Sequence, residues 1–232
     1  MSDENTTSLI VSTLKDKAVL KQQVYQQGKK SFECLQSVVE ELHTSLFEAL
    51  KDQKEPEVRL QFQKRGEFEC SFTFGGDTLI FHLHTNVFQF ERSHPIWQTS
   101  YLREDEKRSF CMVINVYNFL YDSLAYNRGG DIGYLIARIF INVEGHFFVE
   151  GKRQLGLLYN NFHQQSVCTG EMKKVLESAV LYTIDFDLLM PTYDRVKAVT
   201  VEEIHATSSI LTQKTGKRLG FRFQADQESE MF

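Results

Sequence analysis

Along the N-terminal quarter of the chain the apolar residues recur at helical spacing. They are sparse at first (Ile10, Leu14, Ala18) and then form a stripe of Phe32, Leu35, Val39, Leu42, Leu46 and Ala49. Steps of three and four predict a helix over about 31–52 with Ser31 as N-cap, preceded by a helix over about 9–27 that ends at Gly28. Residues 1–8 are polar and expected to fray. The same spacing marks a coiled-coil seam, but the flanking positions Gln36, Val38, His43, Ser45 and Leu50 lack the paired charges of such a seam. Val38 and Leu50 widen the stripe instead, so the helix is expected to lie on a sheet of its own chain.

Beyond Pro56 the period changes to two. Val58, Leu60 and Phe62 alternate with polar residues, as do Phe68, Cys70, Phe72 and Phe74, and then Leu79, Phe81 and Leu83. Lys64-Arg65-Gly66 and Gly75-Gly76-Asp77 supply the turns. This predicts an antiparallel meander over about 57–91, with Val87 to Glu91 as its extension. Phe110 to Ala125 fits either period, and its length without a turn signal favours a helix. A second hairpin is predicted over about 132–151, apolar on both faces and therefore covered. A helix over 171–185 presents Met172, Val175, Leu176, Ala179 and Val180 on one face. Beyond Pro191 come a short helix from Val201 to Leu211, a last strand at about 218–224 (Leu219, Phe221, Phe223) and an acidic tail, 225–232, expected to be disordered. The fold class is α+β: N-terminal helices on a mainly antiparallel, Phe-rich sheet, followed by C-terminal helices. Residues 1–224 read as one domain.

Composition supports this reading. The 232 residues are 42% hydrophobic and 25% charged, with 19 Phe and only 3 Pro, which suits a packed sheet and leaves no room for long irregular linkers. The net charge of −5 provides no global field for nucleic acid or anionic membrane. No run approaches the ~18 consecutive apolar residues of a membrane span, and the N-terminus carries no signal-peptide pattern. Cys34, Cys70, Cys111 and Cys168 lie far apart, without a C-x-x-C pair, and read as four reduced thiols in a cytoplasmic protein.

Four groups of residues carry candidate chemistry. Asp131, Glu150 and Lys152 resemble the acid and Glu-x-Lys pattern of the restriction-endonuclease-like fold, in which two acids hold Mg²⁺. Hairpin register argues against the pairing, because it sets Arg138 opposite Glu150 and leaves Asp131 roughly 23 Å further along at ~3.3 Å per residue. His82 and His84 share one face of a strand and point to a binding site with His94 as third member; Asp77 and Glu91 are the acids near enough to join a metal, but no spacing is diagnostic and no metal is assigned. Lys217, Arg218 and Arg222, with Phe221 and Phe223, resemble the aromatic strand of the RNA-recognition motif, although alternation turns the aromatics inward and the acidic total argues against nucleic acid. The glycines fit no phosphate-binding or nucleophile motif, so no catalytic residue and no cofactor is assigned.

Two functions follow as expectations. The first is a non-catalytic interaction or regulatory domain that holds a protein partner or a second copy of itself, with Trp97, Tyr101 and Tyr126 as exposed anchors. The second is a ligand- or metal-binding protein or hydrolytic enzyme with a pocket at His82 and His84.

Overall fold

The computed structural model describes residues 3–52, 58–152, 155–156, 161–163, 165–167, 170–188, 192–202 and 204. Helical backbone runs from α1 (Asp3–Thr13) through a π-helical stretch, Leu14–Ala18, into α2 (Val19–Leu50). The strands are β1 (Leu60–Lys64), β2 (Glu69–Phe74), β3 (Asp77–Leu83), β4 (Phe88–Gln89), β5 (Phe110–Leu120), β6 (Tyr134–Asn142) and β7 (Phe147–Gly151). Short helices α3 (Ser100–Glu104) and α4 (Tyr121–Ala125) flank β5, and α5 (Gly170–Ile184) and α6 (Tyr193–Val196) follow β7. Among the described residues no helix is long and apolar enough to cross a membrane.

All seven strands form one antiparallel sheet in the order β1-β2-β3-β5-β6-β7, with β4 paired to β5. The stripe expected on the long helix is its buried face: Phe32, Leu35, Val39 and Leu42 lie on the inward side chains of the sheet, Phe72, Phe81, Met112 and Ile114 among them. Helix α5 buries Met172, Val175, Leu176 and Ala179 in the same core.

Gly28 does not end a helix, and Ser31 is not a cap; both are buried in mid-helix. A Cβ at Gly28 would lie 2.8 Å from Cβ of Met112 on β5, so glycine is the residue that lets the helix backbone approach the sheet. Packing outweighs the ~1 kcal/mol helix-propensity disadvantage of glycine.

The segment 110–125 is a strand followed by one helical turn, not a helix. Its central position accounts for the ambiguity. Met112, Ile114 and Val116 are buried under α2 while Cys111 and Val113 are buried on the opposite face, so both sets are apolar and a helical subset can be picked from them. A strand covered on both sides carries no alternation to read. The extension expected at Val87–Glu91 also changes place. β4 pairs with Phe110 and Cys111, in line with β3 along the same edge of β5, rather than lying beside β3.

The β6–β7 hairpin forms as expected, with Arg138 opposite Glu150 and Gly145 at a φ of 75° in the turn. A bulge between Val116 and Tyr117 shifts the β5–β6 register. The short helix expected at 201–211 falls mostly, and the strand at 218–224 and tail at 225–232 wholly, outside the described residues.

Cys34 is disulfide-bonded, which corrects the expectation of four reduced thiols. Cys70 and Cys111 are free and buried, and Cys168 lies outside the described residues. Separation along the chain says nothing of approach in space, which is what a disulfide requires. Cysteine usage therefore gives no support to a reducing compartment.

Candidate functional site

The face of the sheet turned away from α2 is read best as rows running across the strands. One row is apolar: Val113 on β5 pairs with Phe140 on β6, which pairs with Phe148 on β7. The row beside it is polar. Glu69 pairs with His82, His82 with Asn115, Asn115 with Arg138, and Arg138 with Glu150. The connection from β4 to β5 folds over the apolar row, bringing Ile96, Tyr101 and Leu102 into a second core with Phe140, Phe148 and, from beyond β7, Phe162. The polar row is left uncovered. A cavity of about 480 Å³ lies at the border between the two.

Local sequence fixes this border. Pro95 opens a short 3₁₀ turn, Pro95–Gln98, and His94 caps it by accepting a hydrogen bond at Nδ1 from the Ile96 backbone N–H (3.2 Å). Proline at the first position of such a turn leaves no orphan donor there. Thr99 caps α3 in the same way, accepting from the Leu102 N–H at 3.5 Å. The connection is anchored further along, where the Tyr101 hydroxyl donates to Glu144 Oε2 (2.5 Å) and accepts from Asn142 Nδ2 (2.7 Å). Its one proton goes to Glu144, so the His146 Nδ1 at 2.8 Å also donates to it. Arg108 donates from Nε to Glu144 Oε1 (3.0 Å) and stacks over the Tyr101 ring at 4.3 Å. Burial and the Glu144 bond push the Tyr101 phenol above its ordinary value. Burial works to raise the Glu144 carboxyl, but the bonds from Tyr101 and Arg108 prevail and hold it below the ordinary range.

The cavity is lined on its apolar side by Phe88, Phe90, Phe140, Val113 and Cys111, and on its polar side by His84, His94, Asn115, Arg138 and Glu150, with Gln89, Glu91 and Ser93 completing the rim. Phe90 packs on Phe140 at 5.1 Å and on Phe148 at 5.5 Å.

Hydrogen bonding divides the polar groups into engaged and open. His94 accepts at Nδ1, so its Nε2 carries the proton and donates to Glu150 Oε1 at 3.1 Å. Arg138 donates to the other carboxylate oxygen of Glu150. His94 and Glu150 are thus fully engaged, and His94 has no lone pair for general-base work. His84 accepts at Nδ1 from the Asn86 N–H (3.1 Å), which places the proton on Nε2; that Nε2 and the side-chain amide of Asn115 make no hydrogen bond among the described residues. Gln89 donates from Nε2 to Ser109 Oγ (3.1 Å) and keeps its carbonyl oxygen open. Burial pushes the Cys111 thiol well above its ordinary value.

Of the residues singled out in the sequence, His84 and His94 line the cavity, and His82 stands in the polar row one strand away, opposite Asn115. Among the described residues no group of three or more His, Cys, Asp or Glu is arranged to hold a metal ion. Asp131 is remote from Glu150: its carboxylate accepts from the Ser123 hydroxyl at 2.6 Å and pairs with Arg128 at 3.6 Å. Lys217, Arg218 and Arg222 lie outside the described residues. Tyr101 is not an exposed anchor but a buried one, and Trp97 is half-buried, its indole N–H donating to the Glu91 carbonyl at 2.8 Å and its ring stacked under Arg92 at 4.0 Å. Tyr126 alone of the three is exposed. Asn115, Phe90 and Phe140 carry no signal of the site in the sequence, because 110–125 fits a helical period, Val87–Glu91 continues the meander, and Phe140 sits in a hairpin apolar on both faces.

No family model matches the chain, and neither a curated protein nor a solved structure is found to match it.

Proposed function

We propose that the protein is a binding domain whose ligand is a small, largely apolar organic molecule held in the cavity at the border of the two rows. The observation that carries this reading is the meeting of an aromatic wall with open hydrogen-bonding groups, His84 Nε2–H and the Asn115 amide, in a single cavity of about 480 Å³. Ligand sites are typically ~300–1,000 Å³, mostly apolar, with a few polar groups that orient the guest. An exposed polar row would ordinarily satisfy itself or meet bulk water; here it adjoins Phe90 and Phe140. The reading is non-catalytic, because the cavity histidine beside a carboxylate, His94, has both nitrogens engaged and the cavity thiol, Cys111, is buried.

Isothermal titration of indole tests it. Indole is expected to bind wild-type protein at one site, and His84→Trp, which places a larger ring at the cavity wall, is expected to weaken binding at least ten-fold. Equal binding to both proteins, or no heat with either, would overturn the reading.

A further inference from the structure

The open groups of this cavity share a property that narrows its ligand: they are uncharged. The Asn115 amide offers a carbonyl acceptor and an NH₂ donor side by side, rising from the sheet between His82 and Arg138. His84 offers one neutral N–H, and Gln89 one carbonyl oxygen. The charges nearest them are already matched, since Glu150 accepts from Arg138 on one oxygen and from His94 on the other. The remaining charge on the rim is the exposed carboxylate of Glu91.

An anionic guest would face Glu91 and Glu150 with only Arg138, already paired, to receive it. A purely hydrocarbon guest would bury the Asn115 amide unsatisfied, which costs more than any one contact returns. Resting on the binding reading above, we infer that the ligand is a neutral, planar heteroaromatic of the nucleobase type, presenting a ring N–H donor next to a ring nitrogen or carbonyl acceptor. The donor–acceptor edge pairs in two places with the Asn115 amide, the geometry by which carboxamide side chains read an adenine edge. The ring body lies against the aromatic wall formed by Phe90 and Phe140, where stacking is tolerant of ring identity.

Three bicyclic probes of one size separate this inference from the reading beneath it. 7-Azaindole carries an N–H donor beside a ring-nitrogen acceptor, indole carries the donor alone, and indole-2-carboxylate adds a negative charge. Titrated into wild-type protein, 7-azaindole is expected to bind roughly ten-fold tighter than indole, the value of one satisfied hydrogen bond at a desolvated site. Indole-2-carboxylate is expected to bind most weakly. In Asn115→Leu, which removes both amide groups and keeps the side-chain size, the advantage of 7-azaindole over indole is expected to vanish. Indole and 7-azaindole binding equally to wild type, or the carboxylate binding tightest, would overturn the heteroaromatic assignment and leave the cavity reading standing. Failure of all three probes would overturn both.

Discussion

Tyr101 holds the wall of the cavity in place through hydrogen bonds that have no substitute. Its hydroxyl is shared by Glu144, Asn142 and His146, and its ring is buried against Phe162. Tyr101→Phe keeps the ring and strands the buried Asn142 amide, so a loss of about 1–3 kcal/mol in urea unfolding is expected; an unchanged midpoint would show that water replaces the hydroxyl at no cost. Glu144 adds a pH dependence with a definite sign. Its folded carboxyl titrates below the ordinary range, so its contribution is present above about pH 4.3 and is lost as pH falls through the lowered folded value. The stability difference between wild type and Glu144→Gln is therefore expected to shrink in thermal melts taken from about pH 5 down to about pH 3. A difference that widened on acidification would contradict the direction of the shift. At this scale the sequence was legible only where a residue has one job. Arg138 facing Glu150 follows from hairpin register alone, but the engagement of Glu150 by His94 depends on a loop 56 residues away in sequence.

Elements were legible where one face meets water. The α2 stripe, the β1–β3 alternation and α5 each carry one apolar face and form where periodicity places it, while the β6–β7 hairpin, apolar on both faces, forms where its turn at Gly145 places it. Periodicity fails for β5, which is covered on both sides, and it cannot see contact between backbones, which is why Gly28 read as a break. Glycine at that point keeps α2 against β5. Gly28→Ala should raise stability by up to ~1 kcal/mol if helix propensity decides, and lower it by about 1–3 kcal/mol if the crowding against Met112 decides. The contact geometry favours the loss, and chemical denaturation distinguishes the two outcomes by sign.

At the scale of the molecule, one long helix and α5 cover most of the first face of a seven-stranded sheet, whereas the connection from β4 to β5 covers only part of the second. Incomplete cover leaves a polar row beside an apolar one, and the cavity is the consequence. The histidines on that face could be picked from the sequence, because i and i+2 on a strand share a side. The cavity could not, since it requires β4 to lie in line with β3 and the loop at His94 to fold back over β6 and β7. The most direct measurement is a ¹H–¹⁵N correlation spectrum of the protein titrated with 7-azaindole. Shifts are expected to concentrate on the amides of His84, Phe90, Asn115 and Phe140, with the α2 amides unmoved. Shifts spread evenly over the surface, or centred on α1 and α2, would contradict a binding site on the second face.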